Sequence, residues 1–294
     1  MTDPLDTLKN YQAEHDFLIC IDSDGCVFDS MEIKQKECFC PQFVNHYDLQ
    51  AVSKYAREVW EFVNLYSTTR GVNRFKALVR SLELCAARSE VRARNIAVPA
   101  VPGVRAWIAS ESKLGNPALE VAIAHNPDPD LTTALAWSND VNAAVAKIVR
   151  NVPPFPFVRE CMDIISSRAD IIVVSQTPLA NLETEWKEHS IDRYAQVIAG
   201  QEMGTKKEHI EYAVRKRYDA RKVLMIGDAP GDLRAAQENG VSFYPVNPGQ
   251  EEGSWRQFHD EALGKFFDGT YLGDYEKKCI DTFNGYLPGA PPWS

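Results

Sequence analysis

The sequence predicts an α/β fold: a parallel sheet covered by helices on both faces, with a long helical segment inserted after the first strand. Three observations carry this expectation. Short apolar runs recur along the chain. Amphipathic helical patterns separate them from the second run onward. After the first run, by contrast, 126 residues of mostly helical pattern intervene before the next.

The first run, Phe17–Asp22 (FLICID), reads as a buried strand ending in a carboxylate. Similar runs follow at Ile171–Ser175, Gln196–Ala199, Val223–Gly227 and Val241–Val246. Helices are expected between them, over Phe157–Arg168, Leu179–His189, Lys206–Tyr218 and Asp232–Asn239. Their ends carry recognisable signals. Thr205-Lys206-Lys207-Glu208 has the spacing of a capping box. Thr177-Pro178 reads as an N-cap followed by proline at the first helical position, and Asn239-Gly240 as a stop. Within residues 30–155, Val59, Phe62, Val63 and Tyr66 fall on one helical face. Phe75, Leu78, Val79 and Leu82 repeat the pattern. The proline-rich stretch Val152-Pro153-Pro154-Phe155-Pro156 is a stiff return to the sheet. Beyond the fifth strand, Trp255–Phe267 and Tyr275–Phe283 suggest two packing helices without chemistry of their own.

A chain of 294 residues with 45% apolar and 25% charged residues can bury a core without staples. Its seven cysteines are odd in number and scattered, with no CxxC pair, so a disulfide framework is not expected. Cys38, Cys40 and His46 lack the fourth ligand and the spacing of a zinc site, and read as packing residues. No run is long enough to cross a membrane, and MTDPLDTLKN has no basic start followed by an apolar stretch, so a cytoplasmic protein is expected. The net charge of −9 argues against a nucleic-acid partner. That charge is uneven. Residues 30–155 hold 15 Lys and Arg against 12 Asp and Glu, whereas the remainder holds 17 against 29. An acidic body with a basic insert suits a metal centre that receives anionic substrates; a solvated helical face would carry the same charges.

Chemistry concentrates at strand ends, where open parallel sheets bind ligands. Asp22-Ser23-Asp24-Gly25 places two carboxylates around a turn. One can attack phosphorus, and the other can protonate a leaving oxygen and then activate water. Asp-x-Asp also serves in calcium loops and helix caps. Gly227-Asp228-Ala229-Pro230-Gly231-Asp232 follows another strand, and Asp228 could meet Asp22 to hold magnesium. Ser175, with Gln176 and Thr177 behind it, can bind phosphate oxygens through hydroxyl and backbone donors, or simply cap a helix. Lys206 or Lys207 sits in a first helical turn, where the dipole disfavours a cation, which suggests another duty.

Asp22, Ser175, Lys206 and Asp228, in that order, resemble the motifs of the haloacid dehalogenase superfamily of hydrolases over roughly residues 15–30 and 155–247. The resemblance implies a Rossmann-like core of residues 1–29 and 156–294, with a C-terminal helical extension, and a helical cap of residues 30–155. It implies Asp22 as nucleophile and Mg2+ ligand. Asp24 would be the general acid/base, offering its backbone carbonyl to the metal. Ser175 and Gln176 would bind phosphate, Lys206 (or Lys207) would neutralise it, Asp228 would ligate metal, and Asp232 would support the acidic loop. Asp24 points to the phosphatase and phosphomutase branches. Cys26, where many members have Thr, departs from the pattern. The expected activity is Mg2+-dependent hydrolysis of a small phosphorylated metabolite, with a phosphomutase or phosphotransferase as the alternative. A phospho-switch fits less well, because receivers place the lysine after the acidic pair and the phosphorylated Asp. Arg70 and Arg74, in the basic part of the insert, are candidates for a second anionic or hydroxylated part of the substrate.

Overall fold

A computed structural model describes residues 4–293. Five strands form one parallel sheet: β1 (Phe17–Ile21), β2 (Ala169–Val174), β3 (Val197–Ala199), β4 (Val223–Gly227) and β5 (Ser242–Pro245). Their order is β3-β2-β1-β4-β5. The chain winds outward from β1 through β2 to β3, then returns to build β4 and β5 on the other side. The winding reverses between β1 and β4, and in open sheets a crevice opens at the carboxyl ends of such a strand pair. Every residue of β2 and β4 is buried, as expected when helices cover both faces. Each fully buried Ile or Val there stabilises the sheet by roughly 1.5–3 kcal/mol.

The crossover helices are Val158–Ile165, Leu179–Glu188, Lys206–Val214 and Pro230–Asn239. The capping box forms: the Thr205 hydroxyl accepts from the Glu208 amide, and Glu208 accepts from the Thr205 amide at 2.7 Å. Gly240 closes the Pro230–Asn239 helix at φ 65°, a left-handed turn that glycine adopts without steric cost. Two expected ends move. The helix from Lys206 stops at Val214 because Lys216 turns left-handed (φ 63°), and Arg217 donates to the freed carbonyls of Tyr212 and Ala213. Thr177 does not cap the next helix. Glu202 accepts from the Leu179 amide at 3.0 Å instead, and the Thr177 hydroxyl is used elsewhere.

After β5 the chain runs through Glu251–Gln257, a π-helical turn at Phe258–Ala262, Leu263–Phe267 and Asp274–Tyr286. These helices pack on the sheet through buried donors. The Trp255 indole donates to the Cys26 carbonyl at 2.7 Å, and the Tyr271 hydroxyl to Phe243 at 2.7 Å.

The chain divides into two compact units. The α/β unit comprises residues up to Ser30 together with Asn151–Leu287; the helical unit comprises Met31–Arg150 and the residues from Pro288 on. These bounds differ from the expected 30–155 insert in two places. The proline-rich return belongs with the sheet, where the Phe155 amide donates to Val27 at 2.9 Å. The segment from Pro288 belongs with the helical unit, where Trp293 packs 5.5 Å from Phe62 and lies 4.5 Å from the Arg88 guanidinium. The helical unit has its own aromatic core around Phe39, Phe43, Trp60, Phe75, Trp107 and Trp137. Its Lys34–Phe39 segment is π-helical. Cys38 and Cys40 are buried in that core, and all seven cysteines are free thiols.

Candidate active site

The site forms at the carboxyl ends of β1 and β4. Ile21 pairs with Ile226, and the Asp22 amide donates to the Ile226 carbonyl at 3.0 Å, so β1 ends beside the acidic loop that follows β4. Gly25 (φ 77°) turns the chain sharply, and the Gly25 and Val27 amides close the loop on Phe28 and Ser23. From below, Ser23 is held between the Trp186 indole, which donates to its hydroxyl at 3.0 Å, and Glu185, which accepts from it at 3.3 Å.

Asp22, Asp228 and Asp232 converge here. Each is buried, and one oxygen from each lies within 4.8 Å of the others. Lys206 bridges two of them, with Nζ 2.6 Å from Asp22 Oδ2 and 2.5 Å from Asp232 Oδ1. Asp232 Oδ2 in turn accepts from the Asp228 and Ala229 amides at 3.2 and 3.0 Å, which shapes the acidic loop. The approach depends on Gly227: a Cβ there would lie 2.4 Å from Asp232 Cβ. Lys207 faces away and pairs with exposed Glu238 at 3.2 Å, so of the two candidate lysines it is Lys206 that meets the carboxylates.

Burial pushes the Asp22 carboxyl well above its usual range; Lys206 opposes this, and Asp232 and Asp228 reinforce it. Burial alone would lower Lys206, but the Asp22 and Asp232 carboxylates outweigh it and keep the ammonium charged. His209, one turn further along the same helix, is lowered to about 4 by burial and by the neighbouring Lys206. It is neutral at ordinary pH.

The donor set suits a divalent cation. Three buried carboxylates face one ammonium, an excess of negative charge that a hard, oxygen-seeking ion would offset. Asp22 and Asp228, at the ends of neighbouring strands, would hold such an ion; Asp22 Oδ1 also accepts from the Ser23 amide at 2.8 Å, and both Asp232 oxygens hold Lys206 and the loop amides.

Asp24 lies outside this cluster. Its Oδ2 accepts from the Thr177 hydroxyl at 2.8 Å, and its Oδ1 from the Ser30 hydroxyl. Neither partner is evident from sequence: Thr177 reads as a helix cap, and Ser30 lies at the boundary of the insert. Ser175 follows β2, which pairs with β1 through Val173 and Ile21, and its hydroxyl accepts from the Thr177 amide at 3.2 Å. The Gln176 side chain is committed to the loop before Lys206, donating to the Gly204 carbonyl at 2.9 Å. This leaves its backbone for any phosphate contact. Arg70 and Arg74 both lie in the helical unit. Arg70 is buried, and its Nη1 donates to the Leu65 carbonyl at 3.0 Å.

Fold and site define a doubly wound α/β protein with an acidic, lysine-bridged centre at its topological switch point. Residues 112–246 match the model of the haloacid dehalogenase-like hydrolase family. The match starts within the helical unit and runs through β2 to β5, leaving β1 and Asp22 outside. Over those residues the chain is similar to the haloacid dehalogenase-like hydrolases. No curated protein matches it in sequence. Similar solved structures include a subfamily IA hydrolase of that superfamily from Geobacter sulfurreducens (15% identity, 80% of this chain and 90% of that one, TM-score 0.40). Others are a haloacid dehalogenase-like hydrolase from Streptococcus pneumoniae (15%, 83% and 91%, 0.43) and a predicted phosphoglycolate phosphatase from Haemophilus somnus (13%, 79% and 86%, 0.48).

Proposed function

We propose that the chain is a Mg2+-dependent phosphatase that hydrolyses a small phosphorylated metabolite through a phospho-Asp22 intermediate. What supports this most is the Asp22–Lys206–Asp232 bridge beside Asp228. A buried carboxylate, a fixed ammonium and a cluster of further carboxylates meet there, at the ends of two neighbouring strands.

A carboxylate oxygen of Asp22 attacks phosphorus, and the bond from phosphorus to the ester oxygen breaks. Asp24 gives its proton to the departing oxygen. Asp24 then takes a proton from water, which attacks the same phosphorus; the bond to Asp22 breaks and inorganic phosphate leaves. Lys206 balances charge on the phosphoryl oxygens and holds Asp22 in place. Ser175 donates its hydroxyl to those oxygens. Asp22 and Asp228 would hold magnesium, which when bound would supply charge neutralisation that lets an anionic phosphate approach carboxylates. The helical unit is the proposed selector of substrate, in the manner of the caps it resembles. A cytoplasmic setting is part of the proposal; among the described residues no helix is long and apolar enough to cross a membrane.

The test is a phosphate-release screen with magnesium across sugar phosphates, nucleotides and phospho-acids, with Asp22→Asn as control. Release without a bisphosphate activator, abolished in Asp22→Asn and silenced reversibly by EDTA, is expected. Intramolecular transfer without free phosphate would favour a mutase. Full release by Asp22→Asn would overturn the proposal.

A further inference from the structure

We propose that Arg74 is the centre of an anion-binding site within the helical unit, shaped for a carboxylate or phosphate group. Arg74 opens the Arg74–Ala87 helix, directly after its N-cap Asn73. A cation there is opposed by the helix dipole, and burial lowers the guanidinium to about 10. Its partners offset neither cost with charge. Nη1 donates to the Ser138 hydroxyl at 3.0 Å and to Asn142 Oδ1 at 2.7 Å, and the guanidinium lies 5.0 Å from the Phe39 ring centroid. Ser138 is itself held by Asn116, whose Oδ1 accepts from its hydroxyl at 2.6 Å.

Arg88, in the same unit, shows what a structural arginine looks like here. It is buried and paired with two carboxylates, Glu58 at 2.6 Å and Glu90 at 2.9 Å. Arg74 pairs with no carboxylate among the described residues. Its Nε and Nη2 donate to none of them, and the residue is only half-buried. One nitrogen is therefore pinned while the rest of the fork stays open. A guanidinium fork matches carboxylate and phosphate oxygens two at a time. Because Ser138, Asn142 and Phe39 already hold the side chain, an anion would bind without paying to order it. A purely structural arginine would gain nothing from keeping its charge uncompensated.

The anion could be a second acidic group of the substrate, which deepens the phosphatase reading, or a free anion. The binding test does not depend on that reading. Sulfate is titrated calorimetrically into the full chain stripped of metal, a condition in which the excess of carboxylates at Asp22, Asp228 and Asp232 repels anions from the catalytic centre. The wild type should bind sulfate. Arg74→Gln, which keeps a hydrogen-bonding head group near Ser138 and Asn142, should bind at least about tenfold more weakly, or roughly 1.4 kcal/mol. Arg74→Lys, which keeps charge without the fork, should fall between. Circular dichroism checks folding, and Arg74→Lys carries the test if Arg74→Gln does not fold. No sulfate binding by the wild type, or equal binding by the variants, overturns the proposal. The source is then read from kinetics. Loss, in Arg74→Gln, of any preference for phosphate esters bearing a second anionic group assigns the site to substrate. Weakened sulfate binding with that preference intact assigns it to a free anion.

Discussion

Replacing Lys206 by methionine removes one ammonium from between two buried carboxylates. At 2.6 Å from Asp22 and an effective dielectric near 20, the gross attraction in that contact alone is about 6 kcal/mol. Desolvation of the lysine cancels part of it. Truncating one partner of a buried pair nonetheless costs about 3–5 kcal/mol, because the other charge is left uncompensated. Asp22 and Asp232 both lose their partner here. With EDTA present, the variant should therefore melt roughly 6–20 °C below the wild type. Saturating magnesium should return part of the loss, since an ion bound at 100 times its Kd adds about 2.7 kcal/mol. The control is Lys207→Met, which breaks only the exposed pair with Glu238 and should cost at most about 1 kcal/mol. Scanning calorimetry with EDTA and then with magnesium reads all three proteins. Equal melting of Lys206→Met and Lys207→Met in EDTA would refute the reasoning, because the cluster would then hold no ionised pair worth breaking.

Three further outcomes follow from the same geometry. Thr177→Val removes the hydroxyl on Asp24 Oδ2, and a hydrogen bond to a charged group is worth about 1.5–3 kcal/mol, so kcat should fall roughly 10–100-fold with KM little changed. Thr177→Ser should restore most of it; equal rates for Val and Ser would show that the hydroxyl does not position Asp24. His209 is buried with its value lowered from about 6.5 to about 4, so the folded state binds fewer protons than the unfolded one. Its contribution is present above the unfolded value and lost as pH falls from about 6.5 toward 4, on the order of 3 kcal/mol. Urea titrations across that window should show a shallower loss in His209→Gln than in the wild type, and parallel curves would remove the assignment. Gly227→Ala should cost about 1–3 kcal/mol from overpacking against Asp232 and should slow turnover with it. An alanine variant with unchanged melting and rate would mean that the acidic loop moves freely.

The core of the site was legible because its residues carry two signals at once. Asp22 and Asp228 end fully apolar runs, and a carboxylate at the end of a buried strand has no packing reason to be there. The choice between the adjacent lysines was open in sequence terms. The capping box settles the helix register in three dimensions, putting Lys206 rather than Lys207 on the side of the carboxylates. Other features depended on long-range contacts that local pattern does not encode. Thr177 has ideal capping chemistry, yet Glu202 takes the helix end and frees the hydroxyl for Asp24, 153 residues away in sequence. Gln176 reads as a phosphate donor, but its side chain ties down the loop before Lys206. Asp232 reads as loop support, and it also anchors the lysine. The passage of the chain from Leu287 into the helical unit was invisible, because Trp293 finds its place through Phe62 and Arg88, far away in sequence.

The most direct measurement is to mix enzyme, magnesium and a turned-over phosphate ester, quench in acid within one turnover, and map the phosphoryl group by mass spectrometry. The phosphoryl group is expected on the peptide containing Asp22 and nowhere else, decaying as inorganic phosphate appears. Phosphate release at an undiminished rate with no phosphoryl group ever on Asp22, or with one on another side chain, would contradict this.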